Sequence, residues 1–230
     1  MYQNVREALE IVEAFENISP SSLNLLSNYG KLYQIPKGEH LFMDKEKMST
    51  LYIVVHGLVS LYKINFQGEK KVIFVLGKGK IINEVVLQGL PASISCEVFE
   101  NAQVLSFPRE EILKIMENDF ELTRGILDSL SLKTRRLYRQ LKNTTNSIRA
   151  DKRIAAKLWK LSGDYGIACK KGIYINMDLS ITYLADMLGL RRETVSRYMK
   201  VLVQKNFVVM DRGKIIVIDR EKLAKYFKSL

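Results

Sequence analysis

The sequence has few of the residues that build metal centres and disulfide frameworks. Of its 230 residues, two are cysteine and two are histidine. Cys96 and Cys169 are too few for a disulfide framework or a four-cysteine metal site, so a reducing compartment is the default expectation. His40 and His56 lie far apart, whereas a cupin-type metalloenzyme needs a close histidine pair and a third histidine. With no nucleophile elbow, Walker or Rossmann glycine pattern either, we predict no metal site and no catalytic site.

Long hydrophobic runs are also missing. The longest uncharged stretch covers residues 48–62, which is shorter than the ~18 residues that suggest a membrane span. Glutamates interrupt the N-terminal segment where a signal peptide would be apolar. We therefore expect a cytoplasmic protein that makes no membrane contact. The composition, 47% hydrophobic and 27% charged, is typical of a folded globular chain.

Charge is distributed unevenly along the chain. Residues 1–150 carry 19 basic and 17 acidic side chains, whereas residues 151–230 carry 17 basic and 8 acidic ones. Nearly all of the net charge of +11 therefore lies in the last eighty residues. Such a basic segment favours a polyanion partner, because cations that meet phosphates release counterions. Charge that serves only to keep the protein soluble is the simpler alternative.

The first half of the chain predicts helices followed by a sheet. Residues 1–30 have apolar residues at helical spacing, whereas residues 31–108 hold short segments such as LYIVV, LVSLYKI and KVIFVL. Turn residues, including His56-Gly57, separate these segments about every ten positions. The pattern predicts an antiparallel β-roll of the jelly-roll type within an α+β fold.

Residues 109–148 return to helical spacing and predict one long helix. Apolar residues and threonines recur in alternating steps of four and three, which is a heptad stripe. The stripe favours a homodimer in which two copies of this helix pack side by side. A single long helix lying on the sheet is the alternative. The predicted dimer seam consists of Leu127, Leu130, Thr134, Leu137, Leu141 and Ile148.

Residues 149–230 contain a helix-turn-helix pattern. Gly189 separates two predicted helices, each with one apolar face, and Ser180 can cap the first of them. The segment GDYGIACKKG, which lies before this pattern, is predicted to be a turn-rich loop. The apolar faces consist of Leu184, Ala185 and Leu188 in the first helix and Val195, Met199 and Leu202 in the second.

The outward face of the second helix carries both basic and acidic side chains. Arg192, Glu193, Ser196 and Arg197 project from one side, with Lys200 one turn further on. An arginine can bind guanine through two hydrogen bonds, and a glutamate can accept one from cytosine. A bare charge patch would need no glutamate, so the pattern favours base reading. The alternative is an exposed helix stabilised by a Glu193–Arg197 pair.

The segment NFVVMDRGKIIVI follows the second helix and predicts a strand, a turn and a strand. A hairpin in this place is a wing. Its tip offers Arg212 and Lys214 to DNA phosphates, contacts that position a protein without specifying sequence. Residues 149–230 are therefore predicted to form a winged helix-turn-helix domain.

Several motifs together resemble the family of the cyclic-AMP receptor protein and Fnr, which are bacterial transcription regulators. PKGEHLFM and LYIVVHGLVSLY are similar to its G-E…LY-I-x-x-G pattern, and GKIINEVVL resembles its G-x-x-x-G-E-x-x-L segment. RIAAKL resembles the start of the family's DNA-binding domain. LADMLGLRRETVSRYMKVL is close to its I-x-x-x-x-G-x-S-R-E-T-V-S-R-x-L-x-x-L motif, which is long and specific. The resemblance implies helices in 1–30, a cyclic-nucleotide-binding-like sensor in 31–108, a dimerisation helix in 109–148 and the DNA-binding domain in 149–230.

The resemblance also implies roles for individual residues. Arg192, Glu193 and Arg197 fall on the family's three base-reading positions, which implies inverted repeats of TGTGA-like half-sites. A homodimer would place its two recognition helices about 34 Å apart on double-stranded DNA. RNA polymerase is an implied further partner. Arg191 replaces the family's usual serine, which implies either an added phosphate contact or an altered preference for one base of the half-site. The predicted DNA-backbone contacts are Ser180, Arg191, Ser196, Lys200, Arg212 and Lys214.

The effector of the sensor domain is not implied by the resemblance. Cyclic-AMP binders have a Gly-Glu and an Arg-Ser pair, but here Asn83 replaces the glycine and Ala92 the arginine, while Glu84 and Ser93 remain. Loss of that arginine removes a charge-assisted contact of about 1.5–3 kcal/mol, so we expect poor binding of cyclic AMP. The cysteines are too few for the Fnr iron–sulfur cluster, and haem is not favoured by either histidine. No cofactor is identified. An unknown small-molecule effector would lie near Glu84, Ser93 and Tyr138.

A protein of a different class remains as the alternative. The chain could be a dimeric module that binds nucleic acid without sequence preference and carries a vestigial sensor domain. The two hypotheses differ in whether one DNA sequence keeps high affinity above competitor DNA.

Overall fold

The computed structural model describes residues 1–144 and 149–228, which contain eight α-helices and nine β-strands. The chain divides into two units. The first comprises Met1–Lys63 and Ile73–Tyr138, and the second comprises Ile64–Val72 and Arg139–Leu230. Within the described ranges, none of the helices is both long and apolar enough to cross a membrane.

The N-terminal segment forms short helices. Helix α1 spans Val5–Leu9 and is followed by a 3-10 turn at Glu13–Phe15, so the helical pattern of residues 5–18 is interrupted. Helix α2 spans Pro20–Tyr29, and the Ser19 hydroxyl caps it by accepting a hydrogen bond from the Ser22 amide at 3.2 Å. Proline at the first helical position and serine before it are the residues that favour a helix start.

Five strands build the antiparallel β-roll of the first unit. They are β1 (Lys31–Ile35), β2 (His40–Phe42), β3 (Thr50–Ile64), β4 (Lys70–Leu76) and β5 (Ser95–Pro108). The sheet order is β1-β5-β3-β4, and β2 also pairs with β5. Strand β5 therefore pairs antiparallel with three others. The prediction of an antiparallel roll in an α+β fold is confirmed.

The prediction of a turn at His56-Gly57 is wrong, because β3 continues through both residues. The register of β3 on β5 shifts around His56, which marks a bulge rather than a chain reversal. Gly57 has a φ of 75°, and a side chain there would place its Cβ 2.2 Å from the Asn101 carbonyl oxygen of β5. Glycine is therefore required by the close approach of the two strands.

Strand β3 is buried on both of its faces. Leu51, Ile53 and Val55 pack in the cluster that contains Leu26 of α2 and residues of the helical region after the roll, such as Ile126. Alternate residues of β3 pack in a second cluster inside the roll, because successive side chains point to opposite faces of a strand. The second cluster includes Val54, Val59, Leu61, Phe74, Cys96, Val98 and Val104.

The helical region after the roll is two helices, which corrects the single helix predicted for residues 109–148. Helix α3 spans Arg109–Asn118 and helix α4 spans Phe120–Thr144. Asp119 between them is extended, and its carboxylate accepts hydrogen bonds from the amides of Ser19 at 2.9 Å and Leu122 at 3.2 Å. The side chain thus caps α4 and ties the N-terminal segment to it. Ile148, the last predicted seam residue, lies outside the described residues.

The second unit contains a small antiparallel sheet among helices. The sheet has the order β6-β7-β9-β8. Its helices are α5 (Ala150–Asp164), α6 (Ile181–Leu188), α7 (Arg192–Gln204) and α8 (Arg220–Lys228). Its strands are β6 (Gly166–Cys169), β7 (Gly172–Ile175), β8 (Val208–Asp211) and β9 (Lys214–Val217).

The segment predicted as a turn-rich loop is the β6–β7 hairpin, so that prediction is wrong. Ile173 and Tyr174 of β7 pair with Val217 and Ile216 of β9, more than forty positions along the chain. Gly166 approaches the end of α5 so closely that a Cβ would lie 2.0 Å from the Ser162 carbonyl oxygen. The strands form because of this distant pairing, which local composition does not reveal.

Replacing Asp119 tests the junction between α3 and α4. Burial alone raises the pKa of this carboxyl group, but hydrogen bonds from Ser22, Ser19 and Leu122 outweigh burial and lower the pKa below its usual value. We expect Asp119→Asn to reduce the free energy of unfolding by about 1–2 kcal/mol at pH 7. A lowered pKa stabilises the fold above the ordinary aspartate pKa near ~4 and loses that effect as pH falls through the folded value.

The difference between the wild-type protein and Asp119→Asn should therefore shrink as the pH falls below about 4. Urea unfolding at a series of pH values measures it. The exposed Asp128 on α4 provides the control Asp128→Asn, which should change stability little. A difference for Asp119→Asn that stays constant from pH 7 into acid would contradict this role.

Candidate nucleic-acid interface and effector pocket

Helices α6 and α7 form the predicted helix-turn-helix. The Ser180 hydroxyl accepts a hydrogen bond from the Tyr183 amide at 3.0 Å and caps α6. Gly189 adopts a left-handed conformation with φ 59° and ends α6, and the Leu190 amide donates to the Ala185 carbonyl at 3.1 Å. The guanidinium of Arg153 in α5 donates to the Leu188 carbonyl at 2.5 Å, which satisfies a carbonyl at the end of α6.

Helix α7 has one buried face and one exposed face. Val195, Met199 and Leu202 are buried, as the sequence predicts. The predicted base-reading residues Arg192, Glu193 and Arg197 are all exposed within the first two turns. The guanidinium of Arg197 lies over the ring of Tyr198, 5.0 Å from its centroid. An arginine on an aromatic ring keeps its planar donors free to meet a base edge.

The residues predicted to contact the DNA backbone surround this face. Arg191 precedes α7 as its capping residue and is exposed, as are Ser180 and Lys200, whereas Ser196 is half-buried. None of these side chains is held in the core, so each remains available for a phosphate.

The wing predicted after α7 is present as the β8–β9 hairpin. Arg212 and Gly213 form its tip, both with positive φ, at 49° and 79°. Lys214 lies with its ammonium 4.4 Å from the centre of the Tyr174 ring of β7. Asp211 forms an ion pair of 2.7 Å with Lys171, which follows β6. The wing is therefore braced by the β6–β7 hairpin.

A cavity of about 250 Å³ opens inside the first unit. It is lined by residues of the roll and of α4, and the predicted pocket residues Glu84 and Ser93 belong to the lining. Tyr138 does not line the cavity, and its side chain is 66% exposed. Thr134 and Leu137 are among the α4 residues that line it instead. Two of the three predicted pocket residues thus come together.

Glu84 is buried and fully occupied by contacts with α4. Its carboxylate accepts a hydrogen bond from the Ser129 hydroxyl at 2.5 Å and forms an ion pair with the Lys133 ammonium. Lys133 also donates to the carbonyls of Ile81 at 2.8 Å and Ile82 at 2.9 Å. Burial lowers the pKa of Lys133, and the neighbouring Glu84 opposes that effect. We call Glu84, Ser129 and Lys133 the α4 clasp.

The sequence interpretation missed Lys133 and Ser129. One signal could have found them: both lie at helical spacing from the buried Leu122 and Ile126, so they share the face of α4 that packs on the roll. A lysine on an apolar face needs a buried acceptor.

The predicted seam lies beside the α4 clasp, since three of its members also line the cavity, and its members differ in exposure. Leu127 is 53% exposed, Leu137 39% and Leu141 65%, whereas Leu130 is half-buried. Thr134 is exposed and donates to the Leu130 carbonyl at 3.0 Å. A row of exposed leucines on one helix is the surface that a second helix covers in a coiled coil.

The remaining candidate residues for metal or redox chemistry are the two cysteines and the two histidines. Cys96 is buried, and burial raises the pKa of its thiol, whereas Cys169 is exposed. His40 lies 2.8 Å from the Tyr62 hydroxyl, and His56 is exposed in β3. Across residues 1–144 and 149–228, no three His, Cys, Asp or Glu side chains come together as metal ligands would.

Comparison with domain families gives two matches. Residues 33–119 match the cyclic nucleotide-binding domain, and residues 152–226 match the Crp-like helix-turn-helix domain. A roll of the cyclic nucleotide-binding type ahead of a winged helix-turn-helix defines a transcription regulator with a DNA-binding domain. The chain belongs to the Crp/Fnr family of transcription regulators, which confirms the resemblance.

Similar proteins of known description cover nearly the whole chain. The CRP-like cAMP-activated global transcriptional regulator of Mycobacterium tuberculosis is 22% identical over 222 residues, covering 95% of this chain and 98% of that protein. The anaerobic regulatory protein of Bacillus subtilis is 25% identical over 209 residues, covering 90% and 87%. Both are described as regulatory proteins.

Solved structures share the fold. FixK2 from Bradyrhizobium japonicum aligns with a TM-score of 0.76 and 19% identity, covering 87% of this chain and 98% of that one. The c-di-GMP responsive global regulator CLP of Xanthomonas campestris aligns with the same TM-score and 16% identity, covering 87% and 100%. At such low identity the likeness concerns the fold alone.

Substitutions in the α4 clasp test its contribution to stability. We expect Glu84→Gln and Lys133→Met each to lower the free energy of unfolding by about 3–5 kcal/mol, because each leaves a buried charge without its partner. The double substitution should cost less than the sum of the two. Denaturant unfolding of all four proteins in a double-mutant cycle measures this coupling.

The control is an exposed ion pair in the same unit. The Lys80 Nζ and Glu13 Oε2 atoms lie 2.5 Å apart, and both side chains are partly exposed. Lys80→Met should therefore lower the free energy of unfolding by less than about 1 kcal/mol. Additive effects of the Glu84 and Lys133 substitutions would contradict the clasp.

Proposed function

We propose that the protein is a homodimeric, sequence-specific regulator that binds an inverted-repeat operator through Arg192, Glu193 and Arg197. The observation that carries the proposal is the exposure of all three side chains in the first two turns of α7, whose core-facing residues are Val195, Met199 and Leu202. They lie in the part of the chain that holds nearly all of the net positive charge. The Crp-like domain that contains them supports DNA as the partner.

The chemistry of the three side chains suits base edges in a major groove. Arg192 and Arg197 can each donate two hydrogen bonds to guanine O6 and N7, and Glu193 can accept from cytosine N4. An acidic side chain between two arginines repels phosphates, so its presence supports base reading over simple backbone binding. TGTGA-like half-sites are the operator that the family resemblance implies for this set.

Contacts to phosphates would come from the exposed side chains around α7. We assign them to the residues at the ends of the two helices, on the second turn of α7 and at the wing tip. These residues are Ser180, Arg191, Ser196, Lys200, Arg212 and Lys214.

A homodimer would present two copies of α7 to one duplex. The exposed seam of α4, which includes Leu127, Leu137 and Leu141, supports pairing of two α4 helices. Twofold pairing matches an inverted repeat with half-site centres about 34 Å apart. The family resemblance further supports action in the cytoplasm together with RNA polymerase.

Control of DNA binding would come from a small molecule in the cavity of the roll. Cyclic AMP is not the ligand that we propose. Ala92 is buried where the resemblance places an arginine, and the Glu84 carboxylate is already bonded to Ser129 and Lys133. A ligand that binds two conformations of the dimer with different affinity would shift their populations and hence the DNA affinity.

Single substitutions in α7 and the wing test base reading. We expect Arg197→Ala to weaken binding to the selected operator by about 1–3 kcal/mol and to relax discrimination at one base pair. Lys214→Ala should weaken operator and random DNA alike, because a phosphate contact carries no sequence information. Fluorescence anisotropy with both DNAs at two salt concentrations measures these effects.

The outcome also decides the alternative of non-specific binding. If Arg197→Ala weakens operator and random DNA equally, the base-reading assignment is wrong. A wild-type protein that loses affinity for all sequences equally as salt rises would favour the non-specific module.

A charged residue in the seam tests dimerisation. We expect Leu127→Glu to convert the dimer to monomers at micromolar concentration, because the carboxylate would be buried against the partner helix. Leu132→Glu is the matched control: Leu132 is on the same helix and 51% exposed, close to the 53% of Leu127, but lies off the seam. Sedimentation velocity measures the mass of each protein, and a Leu127→Glu dimer would contradict the seam.

A further inference from the structure

The cavity in the first unit has walls that are mostly hydrocarbon. Thirteen of its eighteen lining side chains are apolar, among them Phe42, Leu61, Phe74 and Ile94. The polar members are Asn83, Glu84, Ser93, Lys133 and Thr134. Whether the cavity accepts a charged ligand therefore depends on whether these five side chains are free to bind it or are already bonded within the protein.

Three of the five polar side chains already form hydrogen bonds or an ion pair within the protein. The Asn83 amide accepts a hydrogen bond from the Tyr52 amide at 2.8 Å and donates to the Thr50 carbonyl at 2.9 Å. Glu84 and Lys133 are paired in the α4 clasp, and Lys133 has two carbonyl acceptors besides. A charged ligand would have to break these buried contacts before it could bond to the same three side chains.

The other two polar side chains are hydroxyl groups. Ser93 is exposed at the edge of the cavity, and Thr134 donates to the Leu130 carbonyl, which leaves its oxygen able to accept. None of the lining residues is an arginine or a histidine. Within the described residues the cavity thus offers one or two neutral hydrogen-bonding groups and no free cation for a phosphate.

We propose that this cavity binds an uncharged, largely hydrocarbon molecule with one hydrogen-bonding group, rather than a nucleotide. A cavity of ~150 Å³ with apolar walls holds benzene, so one of about 250 Å³ has room for about two fused rings. The inference rests on the proposed function, in which this cavity is the effector site, and it names the chemical class of that effector.

The position of the cavity connects such a ligand to the proposed seam. Leu130, Thr134 and Leu137 line the cavity and also belong to the predicted dimer seam. A hydrophobic ligand that packs on these residues changes the surface that a second α4 would meet. Occupancy of the cavity and pairing of the helices are thereby coupled through shared side chains.

Calorimetry with a matched pair of probes tests the proposal on the full chain. 1-Naphthol is neutral and carries one hydroxyl group, whereas 1-naphthoate has the same rings and a carboxylate. We expect 1-naphthol to bind with an affinity at least about tenfold higher than 1-naphthoate or cyclic AMP. Equal or tighter binding of either anion, or no binding of 1-naphthol up to its solubility, would overturn the proposal.

Methyl NMR locates the bound probe without any substitution. The methyl groups of Ile73, Ile82 and Ile94, which line the cavity, should shift on addition of 1-naphthol. Those of Ile154 and Ile216, which are buried in the second unit, should not. Shifts confined to the second unit, or spread evenly over both, would overturn the assignment of the site.

A cavity-filling substitution gives a third test. Ala92→Leu adds methyl groups to a lining residue and should lower the affinity for 1-naphthol at least tenfold, whereas Ala168→Leu on the exposed strand β6 should not change it. Unchanged affinity in a folded Ala92→Leu protein would contradict the site, and if that variant does not fold, the wild-type methyl spectra decide. Operator binding measured on the same samples separates this inference from the proposed function, which stands if selectivity for the operator persists without 1-naphthol binding.

Discussion

The α4 clasp fixes how helix α4 is rotated on the roll. The Lys133 ammonium meets the Glu84 carboxylate and two backbone carbonyls, and Ser129 adds a further hydrogen bond. A buried ion pair requires close geometry because removing its charges from water is costly. With this face of α4 held against the roll, Leu141 lies about a quarter of a turn and Leu127 about a third of a turn from Lys133, and both side chains are exposed. The clasp therefore determines which surface of α4 is exposed.

The same contacts determine the chemistry of the cavity. A carboxylate and an ammonium that neutralise each other inside the roll leave a space whose remaining walls are mostly apolar. Glu84 matches the glutamate of the cyclic-AMP binders, but in this chain its carboxylate bonds to Ser129 and Lys133 of α4. One retained residue can thus have a different role when a neighbouring helix supplies a partner for it.

The family, the order of the domains and the antiparallel roll could be predicted from the sequence because each depends on local patterns. Alternating strands, the glycine at position 189 and the apolar faces of α6 and α7 are properties of short segments. The exposure of Glu193 and Arg197 follows from the same periodicity, and that of Arg192 from its place at the first residue of α7. The assignment of these three residues to particular bases remains a prediction.

The features that could not be predicted depend on contacts between distant segments. The local sequence at Gly57 predicts a turn, because it does not show the close approach of Gly57 to Asn101. The β6–β7 hairpin likewise depends on its pairing with β9. Asp119 lies between two helices, and its carboxylate accepts a hydrogen bond from the Ser19 amide, 100 positions away. Lys133 pairs with Glu84, which lies 49 positions away in the sequence.

The central claim is that a twofold pair of these chains reads a defined sequence with two α7 helices. Selection of bound duplexes from a random DNA pool by the full-length protein tests this claim most directly. The account predicts enrichment of one inverted repeat whose half-site centres lie about one helical turn, ~34 Å, apart. A pool that stays random after repeated selection, or that yields an isolated half-site without its inverted copy, would contradict it.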